Sequence, residues 1–185
     1  MPMPSERPVT PLQPGAAGED AVLSVADLPG HALSNLLAPL GLRLAAVAAD
    51  LPIPGSYWGE REAGLIGNVL YLRPDTPVHS ALHEACHWLL AAPERREKLH
   101  TDAGGSDTEE NAVCYLQCLL AKQLAGYSQA RCFADMDAWG YTFILGSAAA
   151  WFAGDSDDAR QFLLQHGWLS ADGALITPLP TQERS

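Results

Sequence analysis

Residues 77–90, with the sequence PVHSALHEACHWLL, combine a strong helical pattern with three of the chain's six histidines. Pro77 suits the first turn of a helix, and Pro93 cannot continue one, so we predict a helix from about residue 76 to 92. Apolar residues recur at helical spacing on the faces beside the histidines, which favours a helix packed into the protein interior.

The spacing of His83, Glu84 and His87 on this helix is typical of a metal site. His83 and His87 are four residues apart, so they share one face with β-carbons about 5–6 Å apart and can bind one ion. Glu84 lies about 100° further round the helix, beside such an ion. A carboxylate there can take a proton from a water molecule that zinc has acidified. The pattern H-E-x-x-H therefore predicts a zinc site with an adjacent base.

A third ligand is expected from the next predicted helix, which begins at Ser106 or Asp107. A catalytic zinc has three protein ligands and one open position, and Glu109 and Glu110 both lie in the first turn of this helix. Glu109 shares the apolar face of Ala112, Val113, Leu116 and Leu120, whereas Glu110 aligns with Cys114, Gln117 and Ala121. A buried carboxylate needs a partner, which favours Glu109 over Glu110. Either residue could instead only stabilise the helix N-terminus.

The segments HEACH at 83–87 and EENAVCYLQCLLA at 109–121 resemble a zinc metallopeptidase of the gluzincin type, most like the ImmA/IrrE family. The resemblance covers about residues 60–125. It implies His83, His87 and Glu109 as ligands of Zn²⁺ and Glu84 as the general base. It also implies that the strand at residues 66–72 forms the edge of the cleft and pairs with an extended peptide substrate.

The order of predicted elements indicates an α+β fold. The segment GLIGNVLYLRP predicts one strand, and the helices that follow include two predicted at about residues 128–153 and 157–167. With the resemblance, this predicts a small zincin-like domain in which a short sheet with an edge strand packs on a mostly helical body. We expect a disordered Pro-rich tail at residues 1–20, a single domain at 21–175 and a flexible C-terminal tail at 176–185.

Composition narrows the possible partners. The net charge of −11 argues against a nucleic-acid-binding surface, which needs clustered lysine and arginine. No apolar run approaches the roughly 20 residues that span a bilayer, so no membrane partner is expected. Four cysteines without a disulfide-like spacing fit a cytoplasmic protein. The expected partner is a peptide or protein substrate.

Several other polar residues have two interpretations each. His79 could be an additional ligand, but we predict that it lies partly exposed at the helix start. Cys114 and Cys118 have ligand spacing, yet free cysteine usually packs as a small hydrophobe. Asp135 could orient a ligand histidine or cap a helix, and capping is favoured.

Three residues are candidates to stabilise an oxyanion, and the sequence does not choose among them: Tyr57, His100 and Tyr141.

Two functional classes follow from these patterns. The first is a zinc-dependent hydrolase, in particular a peptidase that uses Glu84 as general base. The alternative is a non-catalytic zinc-binding or protein-interaction domain that retains the metallopeptidase fold. A purely structural helical protein without metal is the third possibility, and metal analysis distinguishes it from the other two.

Overall fold

The computed structural model describes residues 22–57, 59, 61–101, 105–176 and 179. Within this part the predicted α+β fold is confirmed, with seven α-helices and one mixed three-stranded sheet. The elements are α1 Ala32–Leu37, β1 Arg43–Ala46, β2 Gly64–Ile66, β3 Val69–Leu72, α2 Val78–Leu90, α3 Pro93–Arg96, α4 Asp107–Ala121, α5 Gln129–Trp139, α6 Ala148–Gly154 and α7 Asp157–Gln165. The predicted tail at 1–20 and most of that at 176–185 lie outside the described residues. None of the described helices is both long enough and apolar enough to cross a membrane.

The sheet corrects the prediction that residues 64–74 contain a single strand. Ile66 pairs with Val69, so Gly67 and Asn68 form a two-residue hairpin turn between β2 and β3. Gly67 has φ of 56°, a conformation that glycine adopts without the steric cost of a side chain. The strand order is β1-β3-β2, with β1 parallel and β2 antiparallel to β3.

This topology also corrects the predicted peptide-binding edge at residues 66–72. β3 occupies the centre of the sheet and is hydrogen-bonded on both sides. The outer side of β2 is covered too, because the Leu65 amide donates to the Gly55 carbonyl at 3.3 Å and the Thr101 amide donates to the Leu65 carbonyl at 3.3 Å. Strand addition by a substrate at residues 66–72 therefore has no free backbone edge to use.

Helices α2 and α4 pack against each other at the centre of the helical body, and α4 also packs against α5 and α7. Residues 111–118 of α4 are all buried, whichever face they occupy. A helix that is surrounded on every side cannot be assigned an inward face from its apolar pattern. The apolar pattern of α4 therefore does not show which of its first-turn glutamates faces α2.

The end of α2 is held by Arg96. Its guanidinium donates to the carbonyl oxygens of Trp88 (3.0 Å), Ala91 (3.0 Å) and Leu89 (2.7 Å), and its Cζ lies 4.5 Å from the centre of the Trp88 ring. These carbonyls have no partners within the helix, so a cation that binds three of them stabilises its C-terminus. Arg96 belongs to α3, the short helix that follows α2.

The predicted helix at 128–153 is in fact two helices, α5 and α6. Gly140 ends α5 in the left-handed conformation, with φ of 102°, and its amide bonds to the Met136 and Asp137 carbonyls. The chain then forms an irregular loop from residue 141 to 147. This break allows Tyr141 to pack against the histidines of α2, as described below.

Asp135 has a structural role that differs from the two considered from the sequence, which were capping a helix and orienting a ligand histidine. Its buried carboxylate accepts hydrogen bonds from Arg131 Nε (2.6 Å), the Tyr127 hydroxyl (2.7 Å) and the Leu23 amide (3.3 Å). The carboxylate therefore joins α5 to the segment that precedes α1, and its removal would leave several donors without an acceptor.

We expect Asp135→Ala to lower the free energy of unfolding by about 3 kcal/mol, measured by urea denaturation. Asp157→Ala serves as the control, because Asp157 is fully exposed and makes only a 3.6 Å ion pair with Arg160. Its effect should be too small to resolve in the same experiment, because an exposed ion pair contributes little to stability. Equal stabilities of the two variants would show that the Asp135 network contributes little.

Candidate metal centre

The imidazoles of His83 and His87 converge on one face of α2, as the spacing predicts. Their Nε2 atoms are 3.1 Å apart, and their ring centroids are 4.7 Å apart with the ring planes at 84°. The two side chains are only 7% and 12% exposed. Two nitrogens that could bind a metal ion therefore face each other in a largely buried setting.

The carboxylate of Glu110 completes this group from the first turn of α4. Its Oε1 lies 3.2 Å from His83 Nε2, and its Oε2 lies 3.4 Å from His87 Nε2. Within the described residues, His83, His87 and Glu110 form a set of potential ligands whose atoms lie within 4.8 Å of one another. The start of α4 is fixed by Ser106, whose side chain accepts a hydrogen bond from the Glu109 amide at 3.2 Å.

The preference for Glu109 as the third ligand is corrected by this geometry. Glu109 is largely buried, as the sequence predicts, but its partner is a cation of the protein itself. Arg95 Nη2 donates to Oε1 at 2.8 Å and Nη1 donates to Oε2 at 3.0 Å. This paired arrangement uses both carboxylate oxygens. Glu109 therefore lies in an ion pair with α3, and Glu110 takes the place beside the histidines.

The helical-face argument fails because both faces of α4 are buried. Cys114, Gln117 and Ala121, which align with Glu110, are as inaccessible as the apolar residues that align with Glu109. Gln117 is the residue in the sequence that could have indicated Glu110. A polar residue seven positions after Glu110 lies on the same face, and polar side chains in a core are placed opposite partners.

The distances fit a metal ion of zinc's size. Zinc binds imidazole nitrogen and carboxylate oxygen at about 2.0–2.1 Å, so two ligand atoms on a tetrahedral ion are about 3.3–3.4 Å apart. The two histidine nitrogens are 3.1 Å apart and Glu110 Oε1 lies 3.2 Å from His83 Nε2, both close to this value. The 3.4 Å contact to His87 is made by the other carboxylate oxygen, Oε2, and with one ligand atom from each residue the set lies within 4.8 Å. Glu110 Oε1 is also buried and makes no hydrogen bond of good geometry among the described residues, and a cation would satisfy it. The residues present therefore fit a two-histidine, one-carboxylate site.

The electrostatics of the group also favour a cation. Burial by itself lowers the pKa of His83, but the neighbouring Glu110 carboxylate raises it, and the net pKa is well above the usual value. Burial raises the pKa of Glu110, but His83 and His87 outweigh it, and the net pKa is lowered. The site thus stabilises positive charge on its nitrogens beside an ionised carboxylate, and a metal ion would replace the proton.

Glu84 is partly buried on α2, one position after His83. Helical geometry places it about 100° round from that histidine, next to the ligand face and not on it. The assignment of Glu84 as general base remains a prediction.

His79 differs from its predicted environment. It is fully buried, with its ring 5.2 Å from Trp139 and 5.7 Å from Tyr141 between ring centroids, and it is not part of the ligand group. Burial, and then the charges of His83 and Arg61, lower its pKa to about 3. His79 is therefore a neutral core residue that packs behind the candidate site.

Tyr141 is the oxyanion candidate whose ring packs against His83. Its ring centroid lies 6.0 Å from that of His83 in an edge-to-face contact, and burial raises the pKa of its hydroxyl. Tyr57 and His100 are both exposed. Tyr141 therefore lies beside His83 as a protonated phenol, which can donate a hydrogen bond.

The cysteines pack as small hydrophobes, as predicted. All four are free and buried, and none belongs to a group of potential metal ligands in the part of the chain that the structure describes. Burial raises the pKa of Cys86 well above its usual value, so its thiol stays protonated. Cys118 and Cys132 contact the sulfur of Met136 at 3.6 and 3.9 Å. These contacts belong to the core.

Comparison of the chain with protein-family models, with curated proteins and with solved structures finds no match. What the structure shows is a His83, His87 and Glu110 group that is consistent with an H-E-x-x-H motif in a helical body.

Proposed function

We propose that this protein is a zinc-dependent hydrolase that cleaves peptide bonds, with His83, His87 and Glu110 as the metal ligands. The observation that supports this most strongly is the convergence of the three side chains, from two helices, at separations of 3.1–3.4 Å. Two imidazoles and one carboxylate are a common ligand set of catalytic zinc, and they leave one position open.

A zinc ion in this site would acidify a water molecule and polarise a carbonyl of the substrate. Glu84 would accept the proton of the attacking water and pass it to the leaving amine. Tyr141 would donate a hydrogen bond to the oxygen that becomes negatively charged. The resemblance of residues 83–87 and 109–121 to the ImmA/IrrE family supports a peptide or protein as the substrate. That resemblance implies Glu109 as the glutamate ligand, and Glu110 is proposed in its place on the geometry alone.

The first test is the metal content of protein purified without added zinc. We expect about one equivalent of zinc by plasma mass spectrometry, because a three-ligand site binds tightly, and His87→Ala should remove it. His166→Ala is the matched control, since His166 is exposed and stacks on Phe162. Less than about 0.1 equivalent in the unaltered protein would contradict a tight three-ligand site.

The second test is cleavage of a pool of unstructured peptides by the zinc-loaded protein, detected by mass spectrometry. New termini that disappear in His87→Ala would support the peptidase. Stoichiometric zinc with no cleavage of any peptide would instead favour the non-catalytic zinc-binding or protein-interaction domain.

A further inference from the structure

Gln117 is a polar side chain in the middle of α4 that is fully buried. Its Oε1 lies 2.8 Å from His83 Nδ1, and its Nε2 lies 3.5 Å from the carbonyl oxygen of His79. Both partners belong to α2, one turn apart. The amide therefore bridges two successive turns of the helix that carries the ligand histidines.

These two contacts define the orientation of the amide and the position of one proton. A carbonyl oxygen only accepts hydrogen bonds, so the His79 carbonyl selects the NH₂ end of Gln117. The oxygen of the amide then faces His83 Nδ1, which must donate a proton to it. Nδ1 of His83 is thus protonated, and Nε2 is left to face Glu110 and His87.

We propose that Gln117 is a positioning residue of the metal centre, an inference that rests on the proposed function. Through its hydrogen bond to Nδ1 it holds the His83 ring in the orientation and tautomer in which Nε2 binds the metal. A histidine ligand is often held by a carboxylate in this way, and the amide is a neutral substitute. A neutral amide attracts the Nδ1 proton less strongly than a carboxylate does. His83 would therefore donate less electron density to the ion, and the ion would remain a stronger Lewis acid.

The test compares the zinc affinity of four proteins by competition with a chromophoric chelator: the unaltered protein, Gln117→Leu, Gln117→Glu and Gln129→Leu. Gln117→Leu removes the acceptor, and we expect affinity to fall about 10- to 100-fold. Gln117→Glu restores an acceptor, and we expect affinity equal to or above that of the unaltered protein. Gln129 donates to the Cys118 carbonyl of α4 at 3.2 Å, away from the histidines. Its loss should change affinity by no more than about twofold.

A second measurement does not depend on the stability of any variant. Nitrogen-15 NMR of the unaltered, zinc-loaded protein should show His83 with a protonated Nδ1 and a metal-bound Nε2. Binding through Nδ1 would overturn the proposal, as would unchanged affinity in Gln117→Leu. Equal losses in Gln117→Leu and Gln117→Glu would also overturn it, because they would indicate a packing role. Absence of zinc binding in the unaltered protein would instead reject the proposed function itself, and this inference with it.

Discussion

Glu110→Ala is expected to lower zinc affinity by more than about 100-fold, whereas Glu109→Ala should leave it nearly unchanged. Loss of a residue that only supports a ligand costs about 10- to 100-fold, so loss of the ligand itself should cost more. The two glutamates are neighbours in sequence and both lie in the first turn of α4. Each carboxylate therefore stabilises the N-terminus of α4 to a similar extent. A difference in zinc affinity between the two variants then reports which carboxylate binds the metal. The measurement is chelator competition, with circular dichroism to confirm folding.

Glu109→Ala is expected to lower the stability of the protein and not its affinity for zinc. It breaks the two hydrogen bonds to Arg95, whose side chain is 40% exposed and can be rehydrated. We therefore expect a loss of stability of about 1 kcal/mol without loss of zinc. If Glu109→Ala released the metal and Glu110→Ala retained it, the assignment of Glu110 would be wrong.

Glu84→Gln should retain about one equivalent of zinc and lose about 10²- to 10⁴-fold in kcat on any peptide found to be cleaved. Glutamine preserves the size of the side chain but cannot accept the proton of the attacking water. Glu84 is not one of the three converging ligands, so the metal should stay bound. Rates and zinc content are measured on the same preparation, so that metal loss cannot be mistaken for loss of the base.

Glu62→Gln is the matched control for this experiment. Glu62 is a second partly buried glutamate near the site, where burial raises its pKa and the charge of His83 partly offsets that rise. It precedes β2 and lies outside the H-E-x-x-H motif, so its replacement should change kcat by less than about tenfold. The base assignment fails if Glu62→Gln abolishes turnover while Glu84→Gln remains active.

Local patterns in the sequence predicted several features of the fold correctly. The helix over the histidine motif, the start of α4 at Ser106 and Asp107, and the α+β class all follow from periodicity and from residues that begin or end helices. The errors arose where a single residue interrupts a longer pattern. Gly67 turns one predicted strand into a hairpin, and Gly140 divides one predicted helix into two. Both glycines adopt positive φ, which the surrounding apolar pattern does not reveal.

Local patterns did not predict the surroundings of individual side chains as well as they predicted the elements. His79 was expected near solvent because it lies at the start of α2, but Trp139 and Tyr141 cover it. Those two residues are about 60 positions away along the chain, and the break at Gly140 brings Tyr141 to α2. No local pattern contains this information, because it depends on how α5 and the following loop pack on α2.

The pairing of His83 with His87 follows from their spacing, because a period of about 3.6 residues is a property of the helical backbone. Which glutamate joins them does not follow from spacing. That choice depends on the rotation of α4 against α2 and on Arg95, which reaches Glu109 from α3 and leaves Glu110 to the histidines. The contact between His83 and Gln117 spans 34 positions and arises in the same way. Helix packing is set by the sum of many side-chain contacts, so it does not follow from the spacing of any one motif.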